Sequence, residues 1–406
     1  MPRQRWSLRC IGCGKRFASE PRTLTCTDCG SLLELSRPGR PPTFRALTSG
    51  EDRLSVWRYS EALPPCAPSA RVTLNEGGTP LIRSANLGAS VGLNRLHVKI
   101  EGLNPTGSFK DRGMTVTVSR AKSLGAKVLV CASTGNTSAS LAAYAARARM
   151  LSVVALPAGK VAAGKLTQAV VYGSRVLRVA GGFDEALALA MKASSEVKGV
   201  YLVNSLNPYR IEGQKTVAYE IYEQLGRTVP DCVVLPVGNA GNISAAWRGF
   251  KELFEWGIAR SLPRMIGVQA EGASPIARAV ALGADRVDPW ETPETIASAI
   301  RIGNPVSWRK ALSAIRDSQG TAVTVTDDEI LAARNNLAKT EGVFAEPASA
   351  APIAALTHLK EYLSRSNKVV CIATGNGLKD QGSVKVDIDS TATVSDVASF
   401  RAALAL

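Results

Sequence analysis

One lysine stands out by its setting. Residues 101–114 read EGLNPTGSFKDRGM, a Pro/Gly turn running into a helix with Lys110 in its first turn, flanked by Ser108, Phe109, Asp111 and Arg112. A single lysine is ordinarily a solvated charge, but an amine fixed at a helix start can also act as a base or a covalent centre. Three other segments share one design: an apolar run, a turn of small residues, and more chain beyond it. STGNTSASLAAYAARA (133–148) follows KVLVCA, and its turn offers backbone N–H groups that suit a carboxylate, although Asn136 taken alone reads sooner as an ordinary helix cap than as a site. PVGNAGNISAAW (236–247) repeats the pattern, and its loop of Gly238, Asn239, Ala240, Gly241 and Asn242 suits a phosphate group. That loop matches neither the dinucleotide fingerprint nor the nucleotide P-loop. ATGNGLKD (373–380) is the third such turn.

Histidine chemistry is disfavoured. Only His97, in a strand pattern, and His358, on a predicted helix, are present, and neither has catalytic neighbours in the sequence. Triads and metallohydrolases therefore recede, and a lysine becomes the natural base and covalent centre.

The cysteines divide into two kinds. Cys10-x-x-Cys13-Gly and Cys26-x-x-Cys29-Gly have the spacing of two knuckles that wrap four thiolates around one tetrahedral zinc, with Gly14 and Gly30 relieving the turns. Four thiolates leave no open position, so this ribbon is expected to stay outside the chemistry, and residues 1–36 to be removable without disturbing the site. Cys66 lies in a Pro-rich stretch, while Cys131, Cys232 and Cys371 sit in or beside apolar runs and read as reduced, buried side chains.

The elements that must position these residues alternate. Strands are predicted near 95–100, 127–132, 152–156, 175–179, 201–203, 231–236, 265–270 and 368–373, and helices near 108–124, 136–149, 183–197, 209–225, 242–257, 328–341 and 348–362. Continuous apolar strands point to parallel sheets covered on both faces. Boundaries are expected as a zinc ribbon over 1–36, a Pro-rich linker and lead-in over 37–70, a large domain from 71–105 and 206–390, a small domain over 106–205, and a tail over 391–406.

Taken together and in order, NPTGSFKDRG, STGNTSAS, GNAGN and TGNGLKD resemble the fold-type II pyridoxal-phosphate enzymes, and within them the threonine synthase family, over roughly residues 70–380. SFKDRG with GNAGN separates it from relatives with SVKDR and GTGGT or with a GGGG-type loop. The resemblance implies an α/β fold of two open, twisted, mostly parallel sheets with helices on both faces, akin to the tryptophan synthase β chain, plus the ribbon. It implies that Lys110 forms the Schiff base of pyridoxal 5'-phosphate. Asn136 would hydrogen-bond the pyridine hydroxyl, residues 238–242 hold the cofactor phosphate, and Thr374 face the pyridine nitrogen. Ser133, Thr134, Gly135 and Thr137 would receive the substrate carboxylate, and Lys165, Asn204, Ser205, Arg210 and Asn239 the substrate phosphate. Many family members have His where this chain has Asn376.

The implied reaction turns O-phospho-L-homoserine and water into L-threonine and phosphate by γ-elimination and β-addition. Alternatives are a cysteate synthase-like lyase acting on phosphoserine, a threonine/serine dehydratase, or an inactive or nucleic-acid-binding ribbon protein. A net charge of +15 is compatible with capture of anionic substrate and cofactor, and no aromatic-interleaved basic motif supports nucleic acid. No apolar run is long enough to span a membrane, so a cytoplasmic enzyme is expected, working as a homodimer.

Overall fold

The computed structural model describes residues 6–18, 24–158, 166–384 and 394–404. Three sheets hold its strands. The first is a small antiparallel ribbon of β1 (Ser7–Cys10), β2 (Arg16–Ala18) and β3 (Leu33–Ser36), in the order β2-β1-β3. The next strands in the chain are β4 (Leu81–Arg83) and β5 (Arg95–Ile100), followed by β6 (Val128–Ala132), β7 (Leu151–Pro157), β8 (Arg175–Val179) and β9 (Val200–Leu202). The last four are β10 (Cys232–Pro236), β11 (Arg264–Ala270), β12 (Thr321–Val325) and β13 (Lys368–Ala373).

A six-stranded sheet runs β12-β11-β10-β13-β5-β4, parallel except at the β4 edge, and a wholly parallel four-stranded sheet runs β8-β7-β6-β9. The smaller sheet lies in the chain between β5 and β10, so the two sheets are nested in sequence. The inner strands β6, β10, β11 and β13 are nearly continuous apolar runs because both faces are covered, whereas the edge strand β8 is largely exposed. Val234, Ile266, Val268 and Cys371 pack to one side of the large sheet, and Val233, Leu235, Met265 and Ile372 to the other. Cys131, Cys232 and Cys371 are free and buried, as their apolar surroundings imply.

Several elements depart from expectation. The stretch expected as one helix over 209–225 forms two, Pro208–Gln214 and Thr216–Gln224. The helix expected over 348–362 ends at Ala354 and tightens into a 3-10 turn over Ala355–Thr357, so that His358 lies beyond it. β12 and the helix Trp308–Asp317 were not foreseen.

Residues 37–70 are packed rather than slung as a linker: Val56, Trp57, Tyr59, Ala62 and Leu63 are all buried, and the Trp57 indole donates to Thr115 Oγ at 2.9 Å. Nor is the ribbon an independent bead. Leu8, Leu33 and Leu35 join one apolar cluster with Val56, Trp57, Leu63, Val116 and Tyr209 of the body, so removing residues 1–36 would uncover that face. No helix among the described residues is long and apolar enough to cross a membrane. The tail includes an exposed helix, Val397–Ala403.

Candidate active site

Every turn singled out in the sequence lies at the C-terminal end of a parallel strand. The Lys110 turn follows β5, residues 133–137 follow β6, residues 203–207 follow β9, residues 237–242 follow β10, and Thr374 follows β13. In the large sheet these ends meet where the strand order doubles back, β10-β13-β5, the crevice in which open α/β sheets bind ligands.

Lys110 opens the helix Lys110–Ser123, and the turn before it is stitched to the turn after β13. The Phe109 N–H donates to the Thr374 carbonyl at 3.0 Å, the Asn376 N–H donates to the Gly107 carbonyl at 2.9 Å, and Ser108 bridges to Gly375. The two residues after Lys110 anchor it. Asp111 accepts from the Thr106 N–H at 2.7 Å and from the Thr106 and Ser140 hydroxyls at 2.6 Å each, and burial pushes its carboxyl up to about 6. Arg112 is buried between Glu101 and Glu220, donating to each at 2.6–2.7 Å, while Lys99 donates to Glu220 at 2.8 Å. Although buried, Glu220 is held down to about 2 by Arg112 and Lys99. These cations are balanced. Lys110 and Arg210 are not: burial first, then the Arg210 charge, draws the Lys110 ammonium down to about 7, opposed by Glu346. Lys110 is thus an amine half neutral near neutral pH, as a nucleophile or proton carrier needs to be.

Asn136 is the first residue of the helix Asn136–Ala148, with Gly135 in the capping position that the plain-cap reading gave to Asn136. Its side chain is therefore free for other work, and its Nδ2 donates to both oxygens of Glu346, at 2.9 and 3.2 Å. Ser133, Thr134, Gly135 and Thr137 are half-buried on the same turn, where Ser133 Oγ accepts from the Gly135 N–H at 3.3 Å and a Cβ added to Gly135 would meet nothing within 4 Å. Thr374 is buried and shares a 2.8 Å hydrogen bond with Ser349 Oγ, which also accepts from the Gly375 N–H at 2.6 Å. Asn376 is spent on the turn itself: its Oδ1 accepts from the Leu378 N–H at 3.0 Å and its Nδ2 donates to the Gly102 carbonyl at 3.4 Å. Glu346 and Ser349 were missed by sequence reasoning. Their only signal is EPAS at a helix start, which does not differ from an ordinary Pro-initiated helix.

In the 238–242 loop, Ala240 takes a left-handed φ of 64° and the helix Gly241–Glu255 begins next, which turns successive N–H groups toward one point. Asn239 holds the loop to residues 306–307: its Oδ1 accepts from the Val306 N–H at 3.4 Å and its carbonyl from the Ser307 N–H at 3.2 Å. The Asn242 Nδ2 and the Gln214 Oε1 are buried without partners, and a Cβ on Gly241 would find nothing nearer than that Gln214 oxygen at 4.0 Å. Orphaned polar atoms beside open space fit an anionic group such as the phosphate of pyridoxal phosphate.

The residues expected to hold a substrate phosphate are unequal. Asn204 exchanges two 2.9 Å hydrogen bonds with the backbone of Ala132, so both ends of its amide tie the turn after β9 to the end of β6. Ser205 is half-buried on that turn, and Lys165 lies outside the described residues. Arg210 is buried, with Nη1 donating to the Val203 carbonyl at 3.0 Å and Nε without a partner; no carboxylate pairs with it among the described residues. Its helix crosses the Lys110 helix closely enough that a Cβ on Gly113 would lie 2.8 Å from the Arg210 Nε. Burial pulls the guanidinium down to about 10.

Away from this crevice, the four ribbon sulfurs converge within 4.8 Å of one another, with Cys10 Sγ to Cys29 Sγ 3.4 Å and Cys13 Sγ to Cys26 Sγ 3.6 Å. Zn–S bonds of ~2.3 Å in a tetrahedron put sulfurs about 3.8 Å apart, so the donor set fits zinc.

Residues 72–375 match the family described as pyridoxal-phosphate dependent enzyme. The chain is 50% identical to a threonine synthase of Methanosarcina acetivorans over 398 residues, covering 96% of each, and 53% identical to that of Methanocaldococcus jannaschii, covering 92% of each. A threonine synthase of Mycobacterium tuberculosis is 51% identical over 338 residues, 83% of this chain and 91% of the relative. Among solved structures, the processed form of threonine deaminase isoform 2 from Solanum lycopersicum shares the fold with a TM-score of 0.62 at 24% identity, over 77% of this chain and 80% of the other. Maize serine racemase shares it with a TM-score of 0.62 at 24% identity, over 77% of this chain and 89% of the other.

Proposed function

The chain belongs to the pyridoxal-phosphate-dependent enzyme family and, within it, to the threonine synthases, and from that premise we propose how its own residues carry the reaction O-phospho-L-homoserine + H2O → L-threonine + phosphate. Pyridoxal phosphate, when bound, supplies an electron sink that makes carbon-bound protons of an amino acid removable. Everything else falls to the protein.

Lys110 holds the cofactor and then carries protons to and from the substrate carbons; an amine drawn down to about 7 both accepts and returns a proton near neutral pH. Asn136 donates to the cofactor hydroxyl, and the amides of residues 238–242, with Asn242, take its phosphate. Thr374 presents a neutral hydroxyl to the pyridine nitrogen, which tempers the sink by leaving that nitrogen largely unprotonated. The N–H groups of residues 133–137 receive the substrate carboxylate. For the leaving phosphate, Arg210 is the buried cation that lacks a counter-charge, while Asn204 acts by positioning and Ser205, Asn239 and Lys165 complete the set.

The observation that carries this reading is Lys110 at its depressed pKa, stitched at the crevice to the Thr374 turn, with orphaned anion-binding groups on the neighbouring loop. Steady-state assay of the cofactor-loaded enzyme on O-phospho-L-homoserine, O-phospho-L-serine and L-threonine tests it. Threonine and phosphate should form in equal amounts from the first, at a kcat/KM at least about 100-fold above the others. Preference for phosphoserine or for threonine would move the chain to a neighbouring chemistry.

We further propose that the four ribbon cysteines bind one structural zinc. Supporting this, the four sulfurs lie within 4.8 Å of one another, close to the spacing of a tetrahedral site. Reduced thiolates and three buried free cysteines support a cytoplasmic setting.

A further inference from the structure

Glu346 is a buried carboxyl that the reaction scheme leaves unused. Glu346 sits at the mouth of the helix Pro347–Ala354, its N–H donating to the Gly375 carbonyl at 3.1 Å, and its side chain fills the space that Gly375 leaves by having no Cβ. Both carboxyl oxygens face the Asn136 amide nitrogen. A side-chain amide is nearly symmetric in shape, so Asn136 could turn over and exchange its donor for its acceptor unless a neighbour forbids it. An ionised carboxylate is such a neighbour, since it only accepts. It uses one Nδ2 hydrogen and leaves the second.

Resting on the reading that Asn136 meets the cofactor hydroxyl, we propose that Glu346 is a positioning residue that fixes the Asn136 amide as a donor and, through it, makes the cofactor's electronic state depend on the ionisation of this one carboxyl. Burial pushes Glu346 up to about 7; Lys379 and Lys110 favour its ionised form and Asp380 opposes it, and the Asn136 hydrogen bonds also favour ionisation. Below that pH the protonated carboxyl can itself donate, and the fixed orientation is lost. Above it, a negative charge behind Asn136 opposes ionisation of the hydroxyl on the other side. The charge therefore changes in the range where the enzyme works, two hydrogen bonds from the cofactor on this reading.

The test is a pH titration, from about 5.5 to 9, of the visible absorbance of the bound cofactor in the holoenzyme, with cofactor dissociation constants measured alongside. The unsubstituted enzyme should show a transition centred near 7. Glu346→Gln, which cannot titrate and, like the protonated carboxyl, can donate as well as accept, should lose that transition and keep the absorbance of the low-pH form across the whole range. Glu346→Ala, which frees the amide to turn, should bind cofactor about tenfold more weakly. A purely structural carboxyl would alter affinity in both variants and leave the transition in place, and that result overturns the inference, as does an unsubstituted enzyme with no transition. Asn136→Ala separates the two layers: an altered absorbance shows that Asn136 touches the cofactor, whereas an unaltered absorbance and affinity refute the underlying reading and the inference with it.

Discussion

Removal of residues 1–36 should cripple the protein although none of the proposed site residues lies among them. Leu8, Leu33 and Leu35 are at most 2% exposed and share a cluster with Trp57, Val116 and Tyr209. At roughly 1.5–3 kcal/mol for each fully buried leucine the contact is worth about 4–9 kcal/mol as an upper bound, comparable with the whole stability of many proteins, ~5–15 kcal/mol. Polar ties add to it: Arg248 donates to the Leu35 carbonyl at 2.5 Å, Lys310 to the Leu33 carbonyl at 3.5 Å, and Arg309 to Ser31 Oγ at 3.1 Å. Two of these elements reach the site, because Tyr209 precedes Arg210 and the helix Trp308–Asp317 begins where Asn239 holds residues 306–307. Urea unfolding of the full-length and truncated chains, followed by fluorescence and by cofactor absorbance, should show a loss of several kcal/mol, up to about 4–9 kcal/mol, and weaker cofactor retention. Leu35→Ala should give a smaller loss of about 2–5 kcal/mol, and zinc should be present at about one per chain in protein prepared without chelator. A truncated chain with unchanged stability and cofactor affinity would refute the argument that the ribbon belongs to the core.

Cofactor uptake by the apoprotein should accelerate as pH rises through about 7 and level off near 8, because the neutral amine is the attacking form and Lys110 is drawn down to about 7. Stopped-flow absorbance reads this, and a rate still climbing toward pH 10 would contradict it. In the same apoprotein the folded state binds fewer protons at Lys110 than the unfolded state between about 7 and 10.5, so this group makes stability rise with pH across that window, and Lys110→Met should flatten that part of the curve. Arg210→Ala should lower kcat/KM on phosphohomoserine by roughly 10- to 100-fold, ~1.4–2.8 kcal/mol, with Arg210→Lys recovering only part. Since the Arg210 charge helps depress Lys110, the same variant should move the cofactor-uptake profile to higher pH, and steady-state and uptake assays together separate the two effects.

Strands were the most legible part of the fold. β13 falls on the residues expected because KVVCIA is a nearly unbroken, buried apolar run, and β5 and β8 also fall on theirs although charged residues interrupt both and β8 is a largely exposed edge. β12 escaped because TAVTV is a half-buried edge whose threonines leave no such run. The anion-binding turns were legible because glycine, asparagine and serine must cluster where a strand gives way to a helix. Glu346 was not, because its role depends on a partner 210 residues earlier in the chain. Asn204 shows the opposite limit, a side chain at the right place in a motif whose bonds are spent on the backbone of another strand. The ribbon was legible as a cluster of four cysteines but not as a part of the core, since Leu8, Leu33 and Leu35 look like the interior of a small domain until Trp57 and Tyr209 are seen against them.

The central claim is that Lys110 carries the cofactor. Borohydride reduction of the cofactor-loaded protein turns the link between cofactor and lysine into a stable pyridoxyl label, and peptide mapping by mass spectrometry locates it. The label should be found on Lys110 within the peptide containing SFKDR. A label on any other lysine, or no label on protein that holds its cofactor, would contradict the account.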